Sequence, residues 1–85
     1  MKVWITKYAL TAGIQVYEGA KDCGDDMVAI RYDAGYDDYF HGEDREWHRS
    51  EACAIARAEK MRLAKIASLE KQIARLRGLT FGDEA

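Results

Sequence analysis

The stretch between Ser50 and Gly78 limits most strongly what this chain can fold into. Residues 51–77 contain neither glycine nor proline, and proline is absent from the whole chain. On a wheel at 100° per residue, Ile55, Ala58, Ile66, Leu69, Ile73 and Leu76 share one stripe, while Arg57, Lys60 and Lys71 face the other way. Glu59 and Arg62 interrupt the stripe at mid-length. Seven alanines from Ala52 to Ala74 raise intrinsic helicity. Ser50 is a good N-cap and Glu51 sits where the helix dipole favours a negative charge. Gly78 fits a left-handed C-terminal cap, with Arg75 and Arg77 near the negative end of the dipole. The spacing therefore predicts an α-helix over about 50–77, roughly 40 Å long. Strands of six or so residues reach only about 20 Å, so one end of this helix must overhang any small sheet it packs on.

The segment before it, residues 2–48, carries β-branched and aromatic residues broken by turn clusters. Strands are expected over Lys2–Leu10, Ile14–Ala20 and Met27–Tyr32, with Thr11-Ala12-Gly13 as a turn. Residues 21–26 and 33–38 are rich in Asp and Gly and read as loops. Tyr39-Phe40-His41 and Glu46-Trp47-His48 flank Gly42–Arg45 as a short closing hairpin. The expected fold is α+β: an antiparallel β-meander of four to five short strands followed by one long C-terminal helix. Its 85 residues make a single domain, 1–85, with a short tail at 78–85.

Hydrophobic residues at 48 % and charged residues at 33 % describe a globular chain rather than a disordered one. No apolar run is long enough to span a bilayer, and the opening residues lack the apolar core of a secretion signal. A cytoplasmic location is expected, with Cys23 and Cys53 as free thiols. The net charge of −2 hides an uneven distribution. Residues 1–48 carry ten acidic and five basic side chains, residues 49–77 eight basic and three acidic, and the tail adds Asp83 and Glu84. Such polarity bears on partners rather than on fold.

Three sets of candidate residues follow. Asp22, Asp25, Asp26, Asp37 and Asp38, beside Tyr36, Tyr39 and Trp47, form an acidic and aromatic surface suited to a basic protein groove. The alternative is nucleic-acid binding along Arg57, Lys60 and Lys71 on the outer helix face, against which stands a pI of about 5.6. The third set is a dimer seam. Ile66, Leu69, Ile73 and Leu76 repeat at spacings of 3, 4 and 3, as in a short heptad seam. Either the tail Leu79-Thr80-Phe81 folds back over them, or a second copy covers them, with antiparallel pairing as the expected arrangement. No catalytic residue, metal site or cofactor is expected. His41, His48, Cys23 and Cys53 lack zinc-ligand spacing, and the aspartates counted from Asp22 do not fit a calcium loop.

Two segments carry a resemblance. Lys2–Ile14 and the run Tyr39–Glu43, Glu46–His48, Ala56–Arg62 and Lys65–Ile73 resemble short uncharacterised proteins of proteobacterial phages, prophages and mobile elements. The resemblance implies a small accessory protein acting in the bacterial host cell, and several such proteins inhibit bacterial immunity, anti-CRISPR proteins among them. It brings no functional residues with it. The resulting expectation is a non-enzymatic interaction module that binds a bacterial host or phage protein, in its most specific form an inhibitor of a host defence complex.

Overall fold

A computed structural model describes residues 1–82, so Asp83 and Glu84 of the tail lie outside the described residues. The elements in order are β1 (Val3–Ile5), α1 (Ala9–Ala12), β2 (Gln15–Tyr17), β3 (Lys21–Gly24), β4 (Met27–Arg31), β5 (Asp37–His41), β6 (Trp47–His48) and α2 (Glu51–Arg77). The fold is α+β, with antiparallel strands first and the long helix last. Its strands form two three-stranded sheets, ordered β2-β1-β6 and β3-β4-β5, and the second is a meander.

Alternation drives burial in both. Val3 and Ile5 of β1, Val28 and Ile30 of β4, and Phe40 of β5 point inward. With Ala20 and Trp47 they make one core shared by the two sheets, against which Tyr17 and Tyr32 pack half-buried.

Several boundaries differ from expectation. The first strand stops at Ile5 rather than Leu10, because its neighbour β6 offers only Trp47 and His48 as partners. The chain turns at Thr6, and Ala9–Ala12 closes a short helix that ends at Gly13. Expected strand 14–20 shortens to β2. Residues 21–24, expected as loop, are β3, and Asp37 and Asp38 open β5. The link from β3 to β4 is a two-residue turn in which Asp25 and Asp26 both take left-handed φ, 50° and 63°. Asp tolerates that conformation, so the Asp-rich run makes a tight hairpin of the I′ kind instead of a loop.

The expected hairpin between Tyr39–His41 and Glu46–His48 does not form. Phe40 pairs with Val28, whereas Trp47 and His48 pair with Ile5 and Trp4 in the other sheet. Residues 42–46 are the crossing between sheets. Gly42 makes that corner, at φ 92°, where an added Cβ would meet the Arg45 side chain at 3.1 Å.

Ser50 caps α2 as expected, its hydroxyl accepting the Cys53 N–H at 3.3 Å. At the other end Gly78 stays right-handed, φ −86°, because its N–H continues the helical pattern to the Ala74 and Arg75 carbonyls. The first turns of α2 pack on α1, β1 and β6 through buried Ala54 and half-buried Arg57, Ala58 and Met61. From Arg62 onward every helical residue is exposed. The helix therefore overhangs, and the molecule measures 64 × 28 × 22 Å.

Candidate functional site

The meander divides the acidic set between its two ends, since Met27 pairs with His41 at one end and Arg31 with Asp37 at the other. At the turn end stand Asp22, Asp25 and Asp26, and here the carboxylates of Asp22 and Asp26 are occupied within the molecule. Asp22 Oδ1 accepts the Gly24 N–H at 2.9 Å, and its Oδ2 lies 3.6 Å from Arg49 Nη2. Arg49 also pairs with Glu43 at 3.0 Å and lies over the Trp47 ring at 5.1 Å. Asp26 Oδ1 accepts the Glu43 N–H at 2.9 Å, while its carbonyl accepts both the Gly42 N–H and the Trp47 ring N–H.

Trp47 itself is only 1 % exposed. It was expected on the partner surface, but its ring fills the space between the sheets and its one polar atom is satisfied inside, so it belongs to the core.

The other end is different in character. Tyr36 is 59 % exposed there, beside exposed Asp33 and Asp37 and half-buried Asp38, while Tyr39, 46 % exposed, sits at mid-strand opposite Ala29 on the face that carries Asp37. Tyr17 meets Tyr32 edge to face and Tyr32 meets Tyr36 at a tilt, with centroids 6.0 and 4.9 Å apart. The Tyr32 hydroxyl donates to Asp38 Oδ2 at 3.4 Å, and Asp38 Oδ1 accepts the Tyr39 N–H. Burial, then the hydrogen bond and charge of the neighbouring Tyr17, then Asp38 hold the Tyr32 phenol well above its usual range. Arg31 lies 3.3 Å from Asp37. Both side chains reach solvent, which screens their attraction, so this ion pair adds little to stability. The result is a tyrosine ladder edged with carboxylates.

Comparison with family models, with curated proteins and with solved structures found no match.

The basic residues separate as well. Arg57 and Lys60 line an open groove of about 290 Å³ with Asp44, Cys53 and Ala56, and the Arg57 Nε is enclosed without a hydrogen-bond partner among the described residues. Lys71 is far along the free part of the helix, and none of the three makes an ion pair among the described residues. Ile66, Leu69, Ile73 and Leu76 line up on that same free part.

One constellation escaped the sequence reading. Thr6 and His48 are fully buried, with Thr6 Oγ1 and His48 Nε2 2.8 Å apart, and Asp44 Oδ1 lies 3.4 Å from His48 Nδ1. The Thr6 hydroxyl donates to the Arg45 carbonyl at 2.9 Å, so toward His48 it acts as acceptor. A hydroxyl so engaged is not activated as a nucleophile; the trio ties β1 to the corner before β6. Nothing in the spacing of residues 6, 44 and 48 announces it, because the contact spans 42 positions. Cys23 and Cys53 are exposed free thiols. Among the described residues no three His, Cys, Asp or Glu converge as a metal-holding group, and no helix is long and apolar enough to cross a membrane.

Proposed function

We propose that the chain is a non-enzymatic interaction module that presents the tyrosine-and-carboxylate end of its meander to a basic macromolecular partner. The observation that carries this reading is the exposure of Tyr36 beside Asp33, Asp37 and Asp38, with Tyr39 exposed two residues along β5 from Asp37. Rigid aromatic side chains with few rotamers and a neighbouring charge of one sign are what interface centres use. The resemblance to phage and mobile-element proteins supports a bacterial host protein as the partner and the host cytoplasm as the place of action. Within that class, the inhibitor of a defence complex is the specific form of the proposal.

Retention of a protein from bacterial lysate by the wild-type chain, lost in a Tyr36→Ala/Tyr39→Ala variant of unchanged fold, is the expected outcome. Asp22→Asn and Asp26→Asn should leave retention unaltered, because those carboxylates already have partners within the molecule. Equal retention by wild type and the tyrosine variant would sink the proposal.

A second reading draws on Arg57, Lys60 and Lys71, none with an ion-pair partner among the described residues, although Arg57 is half-buried against the body with its Nε enclosed and does not lie on the outer face expected from sequence. It predicts oligonucleotide binding that falls steeply with salt and disappears when the three are changed to Ala. Fluorescence anisotropy at low salt discriminates the two readings directly.

A further inference from the structure

The free part of α2 has an apolar stripe that no other described residue of its own chain covers. Ile66, Leu69, Ile73 and Leu76 are 43, 43, 46 and 61 % exposed. The tail leaves the stripe open: Phe81 is 83 % exposed and Leu79 43 %. Of the two coverings the sequence allows, a folded-back tail is therefore not the one the structure adopts.

We infer that α2 pairs with α2 of a second copy as a short two-stranded coiled coil, parallel and in register. Three observations lead there. The stripe spacing places isoleucine at both a positions (Ile66, Ile73) and leucine at both d positions (Leu69, Leu76), the combination that favours parallel two-stranded coils. Charge decides between orientations. Lys65 precedes the first a residue and Glu70 follows the first d residue, so in a parallel pair each Lys65 faces Glu70 of the second copy, twice by symmetry. An antiparallel pair centred on the same stripe would bring the two Glu70 carboxylates together across the axis. This orientation replaces the antiparallel one expected from sequence.

The third observation is steric. Ala54, Arg57, Ala58 and Met61, which face the body, lie roughly 90° round the helix from the stripe at 100° per residue. Two bodies therefore stand on opposite sides of a parallel pair without collision. Arg62, tied to Glu59 of its own helix, marks the end of the seam nearest the body.

Sedimentation equilibrium across the micromolar range tests association, using the full chain with Cys23→Ser and Cys53→Ser. A reversible dimer is expected, and Leu69→Asp/Ile73→Asp should leave a folded monomer. Lys65→Glu should weaken pairing about tenfold, and adding Glu70→Lys should restore it. Orientation is read from Leu76→Cys, which cross-links to its own copy under mild oxidation only if the helices run parallel. A chain that stays monomeric throughout, a dimer indifferent to Leu69→Asp/Ile73→Asp, or a dimer that Leu76→Cys cannot lock each overturns the inference.

Discussion

Trp47 and Asp26 hold the turn end of the meander against the other sheet through one hydrogen bond, from the indole N–H to the Asp26 carbonyl at 3.0 Å. Trp47→Phe, which removes that donor and part of the ring, should cost about 1–3 kcal/mol, and Trp47→Ala about 3–5 kcal/mol. Urea denaturation measures both. Asp26 adds a side-chain bond to Glu43 at left-handed φ, so Asp26→Ala should destabilise by about 1–2 kcal/mol and Asp26→Asn far less. Tyr32 gives a pH dependence. Its phenol ionises later in the folded chain than in the unfolded one. Its contribution is therefore complete below the ordinary phenol value of about 10 and is lost as pH rises beyond it. Stability measured between pH 9 and 11 should fall more steeply for wild type than for Tyr32→Phe. None of these roles was legible from residue type: an aromatic beside a turn reads the same whether it is core, as Trp47, or surface, as Tyr39. The aspartates of the two ends likewise look alike in sequence, and only the sheet register separates them.

At the level of elements, legibility followed the range of the interactions. The helix repeats its own pattern over seven turns and carries its cap at Ser50, so it could be read locally, and so could Met27–Arg31 with its alternation. Strand β3 was hidden by Asp and Gly residues that serve its turn. The partition into two sheets was hidden because β1 finds β6 across more than 40 positions, a choice no local signal encodes. The free part of α2 invites a prediction of its own. An isolated helix of about 16 residues is marginal in water. Amide hydrogen exchange at residues 66–77 should therefore be fast in dilute solution and slow markedly as concentration rises, while Val3, Val28 and Phe40 exchange slowly at all concentrations.

For the whole molecule, the overhang separates charge as well as mass. The body carries the acidic balance of residues 1–48 and the projecting helix the basic one. Body and helix are also separable in stability, since only the first turns of α2 reach the sheets. A chain ending after residue 65 should keep the thermal midpoint of the full monomer to within a few degrees, followed by near-ultraviolet dichroism of the buried Trp47. The overhang also governs how the molecule moves through solvent. Its radius of gyration is 18.7 Å, against about 12 Å for a compact chain of this length. A single copy will tumble anisotropically, diffuse slowly and elute from a sizing column ahead of its mass, where a compact dimer would be expected. Friction and mass must therefore be measured apart for this protein, because its outline alone imitates an assembly.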